Sequence, residues 1–223
     1  MNKAFDDNGK CISGICAQYA QGRSTIKILD VGCGDGTLTK VFLYGIPRSC
    51  NIQLHGIDRE RKCENKDIIY KKVNLESEKF PYPESFFDLV ISNQVIEHLL
   101  NKDLFISECY RVLQKEGLVV LSTENIASLD NILSILLGND PLSQHTGSKF
   151  NIGSFLSPHF METMGEGGNK YSHKNVCSYH SFVRLMKLNG FENVKMNSFG
   201  YFGTILKFLL PTHGRLITAC SRK

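Results

Sequence analysis

The residues best suited to chemistry stand in one short run, Leu29-Asp30-Val31-Gly32-Cys33-Gly34-Asp35-Gly36. The glycines alternate with other residues directly after an apolar, β-branched stretch at 26–31 that reads as a buried strand. Glycine has no side chain and tolerates positive φ, so Gly32, Gly34 and Gly36 can make a sharp turn whose backbone approaches a ligand across the strand end. A helix reading from 38 to 44 turns its unbonded N–H groups toward the same place, which suits a carboxylate or phosphate. The spacing G-x-G-x-G departs from the dinucleotide fingerprint G-x-G-x-x-G when counted from Gly32. Asp30, just before the turn, would repel a pyrophosphate and attract a sulfonium or ammonium, which favours a cationic ligand over NAD. The next apolar stretch ends in Gly56-Ile57-Asp58, 22 positions beyond Gly36. An acid so placed accepts hydrogen bonds from ribose hydroxyls in adenosine cofactor sites, although Asp58 read alone is equally a solvated turn residue.

A second group follows the apolar stretch at 87–92, in Ser92-Asn93-Gln94-Val95-Ile96-Glu97-His98. A histidine beside a carboxylate can take the proton of an acceptor hydroxyl, so Glu97 and His98 are candidate catalytic residues. The competing reading of His98 is a helix-start residue bonded to a backbone carbonyl. His145, His159, His173, His180 and Cys177 crowd a later stretch, but none is spaced as C-x-x-C or H-x-x-x-H, so zinc is not implied. Phe155, Phe160, Tyr171 and Tyr179 in the same region read either as an acceptor pocket or as anchors to the core.

Elements that alternate between strand and helix must position these groups. Further strands read at 53–57, 68–73, 87–92 and 118–122, and a helix at 103–113. Parallel strands need crossovers, so the alternation predicts an α/β, doubly wound sheet in a single domain over 1–223. Regular periodicity fades after a helix at 129–137, and the stretch 138–177, with six glycines, reads as a substrate-lid insertion. A helix at 181–188 and strands at 191–197 and 215–220 complete the chain. Between those strands the apolar run 199–210 reads as a packed helix, a partner surface or a lipid-facing patch giving peripheral membrane contact, in that order.

The formal charge of +4 is small, and the basic residues are scattered, so nucleic acid is not an expected partner. No stretch approaches the roughly 20 apolar residues of a membrane span, and the first residues lack a leader pattern, which points to the cytoplasm. Eight cysteines without any C-x-x-C pair read as reduced thiols. No heptad pattern indicates an oligomeric state.

The order LDVGCGDG, GID, FDLVISNQVIEHL and GLVVLST, over residues 26–123, resembles the class I S-adenosylmethionine-dependent methyltransferases, in particular their small-molecule, type 11-like branch. The resemblance implies a Rossmann-like seven-stranded sheet of order 3-2-1-4-5-7-6 with strand 7 antiparallel and helices on both faces. It implies S-adenosyl-L-methionine as cofactor and S-adenosyl-L-homocysteine as product. Asp30, Gly32, Gly34 and Gly36 would line the methionine part, Asp58 would hold the ribose, and Asn74 and Leu75 would lie beside adenine. Many relatives carry an acid at the place of Asn74, whose amide oxygen can still accept from the adenine amino group. Asn93, with Ser92 and Gln94, would lie near the reacting methyl group. Gln94-Val95-Ile96-Glu97-His98 also resembles the Glu-Val-Ile-Glu-His element that holds a divalent metal in methyltransferases making quinones or modifying RNA ends. Gln94 removes one carboxylate from that set, so no metal is expected. The stretch from Ser122-Thr123-Glu124-Asn125 onward resembles methyltransferases of sugar and cell-surface polysaccharide synthesis, implying a small-molecule acceptor such as a sugar hydroxyl. The alternatives are a nicotinamide-dependent oxidoreductase on a similar fold and a non-catalytic cofactor-binding protein.

Overall fold

Residues 26–31 and 87–92 are mostly apolar without strict alternation, which suits a strand covered on both faces. In the computed structural model, which describes residues 3–59, 63–143, 173–200 and 204–223, they lie in adjacent central strands of one sheet. Its strands are β1 (Thr25–Val31), β2 (Asn51–Asp58), β3 (Ile69–Lys72), β4 (Phe87–Asn93), β5 (Leu113–Glu124), β6 (Lys195–Phe199) and β7 (Leu216–Arg222). Their order is β3-β2-β1-β4-β5-β7-β6. Pairing is parallel from β3 through β5, and β7 runs antiparallel to both β5 and β6. The expected topology is therefore present.

The helices are α1 (Lys3–Ala20), α2 (Thr37–Leu43), α3 (Lys102–Val112), α4 (Leu129–Leu136), α5 (Tyr179–Leu188) and α6 (Thr204–Leu209). Successive strand residues point to opposite faces, and the two apolar layers divide accordingly. Ile28, Leu89 and Ile91 pack with Ile12 and Cys16 of α1 and Phe42 of α2. Leu29, Val31 and Val90 pack with Phe105 of α3 and Phe182 of α5. Among the described residues no helix is long and apolar enough to cross a membrane.

Several boundaries differ from the sequence reading. Helix α1 gave no clear signal, because its buried stripe of Ala4, Asn8, Ile12, Cys16 and Tyr19 has helical spacing but mixes small and polar residues with apolar ones. Strand β5 starts at Leu113 and pairs with Phe87 before a register shift, with Glu116 at a φ of 61° taking up the irregularity. Strand β6 begins at Lys195 because Phe191, read as part of that strand, is instead buried against Tyr110 just after the Gly190 turn. In the run 199–210, Phe199 ends β6, 201–203 lie outside the described residues, and α6 is short, with Phe208 and Leu209 at its end 86% and 63% exposed. Most of 138–177, including His145, Phe155, His159, Phe160 and Tyr171, lies outside the described residues.

Candidate functional site

The parallel strands deliver their last residues to one edge of the sheet, where open α/β folds place ligands. After β1 the chain is pinned to the end of β2. The N–H groups of Gly32 and Cys33 both donate to the Ile57 carbonyl, at 2.7 and 3.3 Å, and the Gly34 N–H donates to Asp58 Oδ2 at 3.0 Å. The three glycines have φ of 80°, 53° and 85°, the left-handed region that side chains disfavour. Their roles differ. A Cβ on Gly32 would collide with the Val95 side chain, and one on Gly36 would come within 2.6 Å of Asn65 and 2.7 Å of Ile68. At Gly34 nothing lies within 4 Å, so that position faces open space.

That space is a cavity of about 770 Å³ whose lining includes Gly32, Gly34, Asp58, Asn74, Leu75 and His98. Gly36, Asp30, Asn93 and Glu97, expected at the site, are not on this wall. Asp30 is buried and accepts a 2.6 Å hydrogen bond from Thr39 Oγ1 of α2, so its carboxylate ties the turn to the helix that follows. Burial pushes its pKa up to about 6, against the pull of the Thr39 hydroxyl and with Asp58 adding to the rise. The Asn74 amide oxygen accepts from the Glu76 N–H at 3.1 Å, so the atom expected at adenine also stabilises the turn after β3.

Beyond β4 the chain makes a single 3-10 turn, Ile96–His98. Glu97 is fully buried there. Its Oε2 accepts from Thr123 Oγ1 of β5 at 2.9 Å, while Oε1 has no hydrogen-bond partner among the described residues. Burial raises its pKa to about 7, opposed by hydrogen bonds and by the Lys102 ammonium. The Glu97 carbonyl accepts from the N–H groups of Lys174 and Asn175 at 2.8 and 3.1 Å, which brings His173 to the site. The His98 and His173 rings lie 4.9 Å apart. His173 Nδ1 donates to the Ser143 carbonyl at 2.6 Å, which makes Nε2 the nitrogen with the lone pair when the ring is neutral.

One ligand atom from each of Glu97, His98 and His173 lies within 4.8 Å of the others, a donor set able to hold a divalent metal. The expectation of no metal rested on Gln94, and the structure adds a donor that spacing could not reveal, 75 residues from His98. The buried, unsatisfied Glu97 Oε1 and the His173 tautomer both fit a cation. Glu124 lies beside this set, its Oε2 3.8 Å from His173 Nδ1, and burial pushes its pKa up to about 8 despite the Arg215 guanidinium. Cys177 and His180 do not join the cluster: Cys177 Sγ accepts from Lys102 Nζ at 3.0 Å, and His180 packs edge-on against Tyr179.

With this geometry in hand, residues 6–196 match the family model of the methyltransferase domain. The chain belongs to that family. It is 33% identical over 156 residues to the mitochondrial ubiquinone biosynthesis O-methyltransferase of Rattus norvegicus, covering 64% of this chain and 44% of the rat protein. The ubiquinone biosynthesis O-methyltransferase of a Bradyrhizobium strain is 29% identical over 133 residues, covering 55% and 46%. The chain thus spans less than half the length of these relatives. In fold it is similar to an S-adenosylmethionine-dependent methyltransferase of Mesorhizobium loti, with a TM-score of 0.58 at 14% identity over 95% of this chain and 98% of that one. Phosphoethanolamine N-methyltransferase 2 of Haemonchus contortus, solved with S-adenosyl-L-methionine, has a TM-score of 0.60 at 13% identity over 96% and 52%.

Asp30 gives the site a pH dependence of known sign. Its folded pKa of about 6 lies above the ordinary 3.8, so between these values the folded chain keeps a proton that the unfolded chain has released. Its contribution is complete below about pH 4 and is lost as pH rises through about 6, up to roughly 3 kcal/mol. Urea unfolding between pH 4.5 and 7 should show Asp30→Asn, which still accepts from Thr39, losing less stability over that range than the unaltered chain. Parallel curves would contradict this.

Proposed function

We propose that this methyltransferase-family chain binds S-adenosyl-L-methionine in the 770 Å³ cavity and transfers its methyl group to a hydroxyl of a small molecule. The observation that carries this reading is that one cavity runs from the glycine turn, Asp58 and Leu75 to His98. Glu97 stands behind the His98 end of that wall. Asp58 is the ribose ligand. It sits at the end of β2 on the cavity wall, where its Oδ2 accepts from the Gly34 N–H. Leu75 supplies an apolar surface for adenine, and the open position at Gly34 lets the cofactor lie against the backbone.

A sulfonium is an activated leaving group, so the protein must chiefly align the acceptor and exclude water. His98 takes the hydroxyl proton, and the Glu97 carboxylate beside it favours the protonated ring. The acceptor enters at the two described ends of 138–177, which meet here through the Ser143–His173 and Glu97–Lys174 hydrogen bonds. An oxygen acceptor is supported by the O-methyltransferase relatives, and a sugar hydroxyl by the sequence after β5. A panel of phenols and sugars tested with methyl-labelled cofactor assigns the class.

Asp58→Ala should weaken S-adenosyl-L-homocysteine binding by about 1–3 kcal/mol, the range for hydrogen bonds to a charged group, as read by calorimetric titration. Unchanged affinity in a folded variant removes Asp58 from the site.

The orphaned Glu97 Oε1 favours a second reading, in which Glu97, His98 and His173 hold a divalent cation. Bound there, such an ion would lower the pKa of an acceptor hydroxyl. Under the proton-acceptor reading, methyl transfer survives EDTA. Loss of turnover in EDTA, with recovery on adding Mg²⁺ or Zn²⁺, would replace it with the second.

A further inference from the structure

Helix α1 carries one buried residue that packing does not explain. Asn8 is 1% exposed on a stripe otherwise made of Ala4, Ile12, Cys16, Tyr19 and Ala20. An amide gains nothing from burial unless its hydrogen bonds are satisfied, and those of Asn8 go to three strands. Its Nδ2 donates to Asn93 Oδ1 of β4 and to Ser122 Oγ of β5, both at 2.9 Å, and its Oδ1 accepts from Thr218 Oγ1 of β7. Ser122 Oγ also accepts from Gln94 Nε2 at 3.2 Å, and the Ser122 carbonyl accepts from the Gln94 N–H at 2.9 Å. Gln94 has a φ of 57°, a conformation costly for a residue with a side chain, so it persists because its surroundings hold it. Gln94 lies on the cavity wall.

We propose that Asn8 is a positioning residue for methyl transfer: it fixes the amide of Asn93 and, through Ser122, the strained Gln94 at the tip of β4. With its oxygen held by Asn8, Asn93 stays fixed behind the cavity wall at the tip of β4, and Gln94, next to it, stays against the cavity in its left-handed conformation. The inference rests on the reading that the β4 tip meets the cofactor. It adds that α1, 85 residues before the β4 tip at the Asn8–Asn93 contact, sets the donor and acceptor pattern there.

A double-mutant cycle in S-adenosyl-L-homocysteine affinity tests it, with the melting temperature of each variant measured alongside. Asn8→Ala should weaken binding about fivefold or more, and should add less than about twofold once Asn93 and Gln94 are both alanine, because coupled residues lose the same interaction only once. Asn8→Asp keeps the volume and the acceptor but cannot donate while ionised, so Asn93 must turn its nitrogen toward it, and the same loss is expected. In the unaltered chain, the Asn93 side-chain amide resonances should shift on saturation with S-adenosyl-L-homocysteine, a readout that needs no variant to fold. Losses that multiply independently, full affinity in Asn8→Ala, or unmoved Asn93 resonances would each overturn the proposal. An unaltered chain that binds no S-adenosyl-L-homocysteine overturns the cofactor reading itself, which is a different result from normal binding with independent losses.

Discussion

The site depends on the hydrogen bonds that pin the turn after β1 to the end of β2. Two successive N–H groups share the Ile57 carbonyl and a third reaches Asp58, so the backbone must double back within a few residues of the sheet edge. That path requires positive φ at Gly32, Gly34 and Gly36, and it packs Gly32 too closely on Val95 to admit a side chain. The same bonds bring Asp58 beside the open space at Gly34. Asp30 stabilises the arrangement from behind by linking β1 to the start of α2.

Buried charge is the second feature of this edge. Asp30, Glu97 and Glu124 are all buried carboxylates whose pKa values rise because their ionised forms lose water. Structural carboxylates of this kind normally acquire a full set of partners, as Asp30 does in part through Thr39. Among the described residues Glu97 keeps one oxygen unsatisfied beside two imidazoles, the pattern expected where a proton or a cation is to be handled. A larger cavity, about 1040 Å³, lies at the opposite edge of the sheet between Tyr19, Tyr110, Glu116 and Arg222. It has no run of alternating glycines at a strand end and, among the described residues, no buried unsatisfied carboxylate, and size alone does not make it the site.

Much of this was legible in the residues. The strands followed from apolar runs and their order from the family resemblance that the motif order carries, and the glycine turn announced itself because few other sequences make such a backbone. The place of Asp58 on the cavity wall was readable because its distance from the turn is set by one helix and one strand. What the sequence hid was three-dimensional convergence. His173 reaches His98 only through backbone bonds to Glu97, and Asn8 reaches β4 only because α1 crosses three strands, so neither leaves a local spacing to detect. The split between Gly34, open to the cavity, and Gly36, closed by Asn65 and Ile68, is likewise invisible in a pattern that shows identical residues. Asp30 lies off the cavity wall for a physical reason that spacing does not show: its carboxylate is buried against the Thr39 hydroxyl at the start of α2.

The most direct test of the central claim is a structure of the chain with S-adenosyl-L-homocysteine bound. The ribose hydroxyls are expected on the Asp58 carboxylate, adenine against Leu75, and the sulfur toward the β4 tip near His98. Electron density for the ligand in the opposite cavity, between Tyr19 and Tyr110, with the glycine turn untouched, would contradict it.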